Sequence, residues 1–268
     1  MYATLLRLLV TGWILVTLVR AGRGAWSHRR LVLLVWSRIR PRHLLAAGLL
    51  AVIVIAVAGV LVSSVPGMDL GLGSLLGTSS NAVFTPLEEA VARSGPPPAS
   101  GPDWSLILIT SAFLLPLLAL LPWLAFVEEE VFRAGLEDAS PRREAVAALV
   151  FGLAHMVMLV PLGAAVAVGV AGFVYGRVYR SAYVHGDGRE VPLPVLRSYR
   201  QTKRARAAAA RARRPTRVGP SGAVGLGDLR PERRQAVAVL ASTVWHTTFN
   251  SLIVGLIWVV IVLDAISP

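Results

Sequence analysis

The chain has 268 residues, 55% of them hydrophobic and only 16% charged, and it contains no cysteine. Its mean hydropathy of +0.64 and its apolar runs of about 20 residues exclude an ordinary soluble domain, and the lack of cysteine excludes disulfides, thiolate nucleophiles and Cys-ligated zinc or iron–sulfur sites. The net charge of +12 does not mark a nucleic-acid partner: twenty of the 27 Lys and Arg fall in residues 20–43 and 182–234, while 66–103 holds Arg93 alone, the pattern of a membrane protein whose basic loops stay cytoplasmic.

In chain order, residues 4–19 are short for a span and either cross tilted or lie at the interface, with Arg7 snorkelling outward. Arg7 also interrupts the apolar run, and no small-residue cleavage site follows it, so no secretory signal is expected. Residues 31–36 are too short to cross and are expected at the membrane surface. Residues 43–65 form an unbroken span. The Gly/Pro/Ser-rich stretch to 102 reads as an external loop.

Residues 103–126 form the next span, with Asp103 as N-cap and Pro116 and Pro122 inside it. "SPRRE" at 140–144 restarts the chain with Ser140 as N-cap and Pro141 at the first helical position. Spans at 145–160 and 164–181 follow, separated by a "PLG" turn. Ala165, Gly169, Gly172 and Gly176 recur at spacings of three and four in the second of these, which favours tight helix packing. Residues 182–234 form a basic Ala/Arg-rich insertion, too polar for a core and expected as a flexible loop or a surface helix. Its "GPSGAVGLG" (219–227) lacks the Lys-Ser/Thr of a phosphate loop. A last span covers about 235–263, and no sequence repeat is present. The fold class is therefore all-α: a polytopic transmembrane bundle of about six spans. Residues 1–102 form an N-terminal region and 103–268 a core interrupted by the insertion, with the C-terminus external.

Ionisable groups within spans cost about 2.5–3.5 kcal/mol each at a helix centre, so each is a site hypothesis. In "FVEEEVFRAG" (126–135), Glu129 and Arg133 are i,i+4 neighbours, as an ion pair requires. Glu128 lies about 100° round and faces the interior separately; burial raises the pKa of such a free carboxylate and suits it to general-base work. Glu130 is left unassigned, with facing water as its simplest reading. His155 follows Phe151 by one turn and reads either as packing or as a catalyst. His246 and Asn250 share a face and offer two donors toward one point, as for an oxyanion, while Thr247 and Thr248 bond back to their helix. Depth links these groups. His155 lies 14 residues past Pro141 and His246 15 past Pro231, roughly 21–23 Å along at about 1.5 Å per residue. Glu128, ten residues before Asp138, lies at about 15 Å on the same rise.

These residues resemble the motifs of the CPBP family (CAAX proteases and bacteriocin-processing enzymes, also called the Abi family). That family carries EExxxR, FxxxH and HxxxN or HxxxD on successive membrane helices. Here the motifs read Glu128-Glu129-Glu130-Val131-Phe132-Arg133, Phe151-Gly152-Leu153-Ala154-His155 and His246-Thr247-Thr248-Phe249-Asn250, within residues 103–263. The resemblance implies a CAAX-protease-like core and an intramembrane endopeptidase. It implies that Glu128 activates water with help from His155, that Glu129 and Arg133 brace the site, and that His246 and Asn250 stabilise the oxyanion. Two departures stand out: "FRAG" replaces the family's frequent "FRG", loosening the expected packing after the arginine, and the 182–234 insertion lies between the second and third motifs.

Metal involvement stays open. Glutamate/histidine catalysis without a cofactor is the leading reading, and a divalent metal such as zinc on Glu128, His155 and His246 the other. The expected partners are membrane lipids, anionic headgroups at the basic loops and a membrane-associated or lipidated peptide or protein substrate. The expected place is the cell membrane. A non-catalytic immunity or scaffold protein of the same fold is the alternative function, and a proton-coupled transporter lacks the repeat it would need.

Overall fold

The structure is a computed structural model that describes residues 2–71, 102–158, 160–186, 192–213 and 230–266. Side chains are described for all of these except 2–11, 13–15, 205–213 and 230. The expectations for the external loop at 72–101, for the "GPSGAVGLG" stretch and for the Arg7 side chain lie outside the described residues.

Among the described residues every regular element is helical. In order they are α1 (Tyr2–Ser27), α2 (Arg29–Arg38), α3 (Pro41–Ser64), α4 (Trp104–Arg133), α5 (Pro141–Ala154), a 3-10 turn η1 (His155–Met158), α6 (Leu162–His185), α7 (Leu193–Arg213) and α8 (Arg230–Ile266). The caps fall where the sequence places them. Asp103 accepts from the backbone N–H of Leu106 at 3.0 Å and Ser140 from that of Arg143 at 3.3 Å, each satisfying a donor that a helix start leaves orphaned. The Asp103 carboxyl is held below its ordinary value by the Ser105 hydroxyl and the Leu106 N–H.

Four described helices are long and apolar enough to cross a membrane: Pro41–Ser64, Trp104–Arg133, Leu162–His185 and Pro231–Ile266. The chain is a membrane protein, and its surface is built accordingly. Leu45, Leu49, Val52, Leu108, Val150 and Val260 are all more than half exposed or nearly so, whereas the interior between helices is lined by Ala, Gly, Thr and charged groups. Association inside lipid gains nothing from hiding leucine, so small residues and polar contacts hold the interior instead.

The expected span at 145–160 is instead the 14-residue α5 followed by η1. Together they measure roughly 29 Å, at about 1.5 Å per α-helical and 2.0 Å per 3-10 residue. The ends of the helices segregate. At one end the Leu162 and Gly163 N–H groups donate to the Leu70 and Met68 carbonyls at 2.8 Å, and Asp103 N–H to the Ala265 carbonyl at 2.8 Å. At the other, His28 meets Gln201 at 2.9 Å, Tyr199 donates to Gln235 at 2.7 Å, and the α4–α5 loop reaches α6 and α8. Among the described residues, the basic helix α2 and the start of α7 lie at this second end.

The glycine stripe packs α5 against α6. A Cβ on Gly152 would collide with the backbone carbonyl of Ala165 and come within 2.9 Å of Gly169 Cα. One on Gly172 would meet the Phe151 ring at 2.7 Å.

Two sequence expectations are corrected at the basic end. Residues 31–36 do not merely lie on the surface: Leu31 and Val35 are buried in a cluster with Trp123, Tyr179 and Val239. Nor is the whole insertion too polar for a core, because Val195, Leu196 and Tyr199 at the start of α7 join the same cluster. Composition averaged over 182–234 hides this short apolar start behind thirteen cations.

Candidate active site

Helix α4 continues straight through its glutamates and ends at Arg133, where Ala134 leaves helical geometry and Gly135 takes a left-handed φ of +94°. The extra residue in "FRAG" therefore moves the helix-ending glycine by one position without removing it. The last turn of α4 thus lies inside the bundle rather than at a frayed end. Glu129 and Arg133 are fully buried and Glu130 is 3% exposed. Glu130 does not face water, contrary to expectation.

Glu129 links two motifs that lie 117 residues apart. Its Oε1 is 2.9 Å from His246 Nδ1, and its Oε2 is 3.4 Å from Arg133 Nε. A carboxylate only accepts, so His246 donates its Nδ1–H and, when neutral, carries its lone pair on Nε2. That Nε2 faces Glu128, whose Oε2 is 3.6 Å away. Glu128 is half-buried, its side chain 37% exposed, but Oε2 itself is covered and has no protein hydrogen bond. The pair of glutamates therefore grips one imidazole from both nitrogens, one glutamate braced by arginine and the other open.

Phe151 organises the layer. Its ring meets His155 edge-on at 4.8 Å, His246 at 5.5 Å and Phe132 at 5.2 Å, and the Arg133 guanidinium lies over it at 4.7 Å. Both histidines and the α4 charges thus sit at one level, as their distances from Pro141 and Pro231 require. His155 caps α5, where its Nδ1 is 2.9 Å from the Phe151 carbonyl. A carbonyl can only accept, so neutral His155 also carries its lone pair on Nε2.

Asn250 lies one turn beyond His246 on α8, and among the described residues none hydrogen-bonds to its side chain. Thr248 bonds back to the Val244 carbonyl at 2.7 Å as expected. Thr247 does not: its hydroxyl is buried without a hydrogen-bond partner. Thr243 takes up back-bonding in its place, to Val239 at 2.6 Å.

No group of three His, Asp or Glu suited to a metal ion occurs among the described residues. Glu128 and His246 supply two converging donors, one fewer than a catalytic zinc takes from protein, so the chemistry below is derived from side chains alone.

Several polar residues that sequence reading passed over are also buried here. Tyr175 of α6 stacks on His246 at 4.8 Å and 19°. It falls three residues after Gly172, on the glycine face that the stripe marks as interior, and that register is the signal which would have found it. Glu144, in the first turn of α5, is 2% exposed and pairs with Arg180 at 3.0 Å and Arg177 at 3.7 Å. Glu137 accepts from the Tyr179 hydroxyl at 2.6 Å, the Gln235 amide at 2.8 Å and the Gly135 N–H at 3.1 Å. Burial pushes its pKa up, but these donors outweigh it and hold the carboxyl below its ordinary value.

No protein-family model matches the chain, and no curated protein or solved structure matches it either.

Proposed function

We propose that this protein is an intramembrane endopeptidase of CPBP type. It would hydrolyse a peptide bond of a membrane-associated or lipidated substrate with a water activated by Glu128 and the two histidines. The observation that carries the reading is the chain Arg133–Glu129–His246–Glu128, which joins two sequence-distant motifs inside an apolar bundle. Buried charges of this kind are costly and are retained where they do chemistry.

Glu129 holds His246 in one tautomer, as the orienting carboxylate of a hydrolytic triad does. Arg133 balances the Glu129 charge. Glu128, reachable from its exposed side, takes the proton of an attacking water. His246 Nε2 and His155 Nε2 are the further proton acceptors in the layer. When the tetrahedral intermediate collapses, the leaving nitrogen takes a proton back from Glu128 or His246. This differs from the sequence expectation in one respect: with Nδ1–H committed to Glu129, His246 serves as a base or proton carrier before it serves as an oxyanion donor.

In this reading the protein lies in the cell membrane. Its core has the CAAX-protease-like arrangement, and α1 and α5–η1 make up the six crossings. The basic end, with α2, α7 and the 182–234 insertion, faces the cytoplasm and anionic headgroups. Comparison of protein termini in membranes from wild type and a Glu128→Gln strain tests the proposal. Termini that vanish in the variant identify the substrate, and identical sets of termini would overturn the reading.

A further inference from the structure

A groove of about 660 Å³ opens on the surface of the bundle between α6 and α8. One wall is the α6 ridge Phe173, Arg177, Ser181 and His185, spaced by four so that all fall on one face. Trp245 of α8 forms the other, and Val174 and Val178 complete the apolar lining. At about 1.5 Å per residue the ridge is roughly 18 Å long, against about 15 Å for the hydrocarbon of one leaflet.

The groove is polar at one end and apolar at the other. Arg177 stands level with the start of α5, because a Cβ on its neighbour Gly176 would lie 3.4 Å from Oε1 of Glu144 in the first turn of that helix. From there Ser181 and His185 continue toward the basic end. Phe173 and Val174 lie toward the bundle centre, and so does Trp245, which precedes the His246 that stacks on Tyr175. Arg177 reaches Glu144 only at 3.7 Å, because Arg180 holds the same oxygen at 3.0 Å, and the Arg177 side chain is 62% exposed. Its guanidinium therefore keeps donors for a ligand. His185 Nδ1 is occupied by the Ser181 carbonyl at 3.0 Å, so Arg177 is the permanent cation of the groove. Trp245 meets the His43 ring at 5.5 Å, and exposed Arg40 and Arg42 flank His43 at the start of α3. Among the described residues no carboxylate lines the groove.

We infer that this groove binds one anionic phospholipid of the surrounding membrane, with its phosphate on Arg177 and an acyl chain along Phe173, Val174 and Trp245. A guanidinium and a phosphate oxygen form a charge-assisted hydrogen bond. Charge at the level of the helix ends and an apolar wall beneath it match the order of headgroup and chain in a leaflet. With no lining carboxylate, nothing receives the ammonium of a zwitterionic headgroup, which selects a lipid of net negative charge. A second copy docked through this face would set the same cations against each other. The site is a defined one on α6, distinct from the diffuse attraction of basic loops to a charged surface, and it does not depend on the peptidase reading.

The test uses the purified full-length protein in neutral detergent micelles, titrated with phosphatidylglycerol whose acyl chains carry bromine, a short-range quencher of indole fluorescence. Each protein is also measured with Trp245→Phe added, and the difference isolates the quenching of that one indole among the seven. Wild type should show saturable quenching of Trp245. Arg177→Ala should weaken the apparent affinity about 10–10²-fold. Ser181→Phe should abolish binding by filling the groove without touching a charge, and because Ser181 is exposed it tests the groove independently of any effect of Arg177 on folding. Arg142→Ala, which removes an exposed cation at the start of α5 outside the groove, should leave the titration unchanged. Wild-type quenching in Arg177→Ala or in Ser181→Phe overturns the assignment, and so does an equal loss in Arg177→Ala and Arg142→Ala, which would reduce it to general surface attraction. Equal quenching by brominated phosphatidylcholine overturns the anionic headgroup. Displacement by glycerol phosphate as effective as by unlabelled phosphatidylglycerol overturns the lipid in favour of a soluble phosphate.

Discussion

Glu137 at the basic end and the glutamates of the deep layer are satisfied to different degrees. At the basic end Glu137 collects three donors on one oxygen, and Gln235 passes the network on to Tyr199, so the α4–α5 loop, α6, α7 and α8 are tied together. In the deep layer, by contrast, Glu128 Oε2, Arg133 Nε and the Tyr175 hydroxyl are all buried without a hydrogen-bond partner. A saturated network fixes a structure, because every member loses if one moves. An unsaturated one, here buried more deeply, keeps binding capacity for something that arrives. The comparison separates scaffold from site without appeal to sequence motifs.

The largest effect expected from breaking this contrast is in the deep layer's ion pair. Arg133→Ala leaves Glu129 buried with His246 but without its cation, a loss of about 3–5 kcal/mol, seen as a collapse of the thermal midpoint or of the yield of folded protein. Glu128→Gln sharpens the contrast from the other side. It should reduce peptide cleavage about 10²–10⁴-fold, the usual range for a general base, with little loss of thermal stability, because Glu128 is half-exposed and its one contact, His246 at 3.6 Å, is already held by Glu129. A stability loss there would make Glu128 scaffold.

Packing between the two regions is a smaller term. Gly152→Ala puts a methyl against the Ala165 carbonyl and Gly169, backbone that cannot swing aside. Overpacking of this kind costs about 1–3 kcal/mol, measurable by denaturation in mixed micelles. Gly59→Ala, where nothing lies near the added Cβ, should be close to neutral.

The smallest effect is a pH dependence at the scaffold. Glu137 has a folded pKa held below its ordinary 4.5. Its contribution to stability is therefore complete above that value and is lost as pH falls through the lower folded value. Wild type should lose thermal stability relative to Glu137→Gln as pH is taken below about 4.5, and parallel curves for the two proteins would remove Glu137 from the scaffold.

Much of this could be read before the fold was known. The apolar runs located the four long spans, Ser140 and Asp103 marked helix starts, and the spacing of Glu129 to Arg133 anticipated their ion pair. Residue counts from Pro141 and Pro231 put both histidines at one level. What stayed hidden has a common cause. Glu144 and Glu137 look like loop charges because their partners Arg180, Tyr179 and Gln235 are 36 to 98 residues away. Glu130 read as a water-facing charge because a run of three glutamates has no periodicity to orient it. Tyr175 was passed over because its register with Gly172 marks only an interior face, and what it stacks on there, His246, lies 71 residues away.

The sequence by itself determined which segments lie in lipid, because about 20 residues of unbroken apolar helix are required wherever water is absent. It also determined which charged groups would need an explanation. Only the tertiary structure decided which nitrogen of each histidine is free. A tautomer is set by the acceptor its other nitrogen meets, and for His246 that acceptor is Glu129, on a helix 117 residues away.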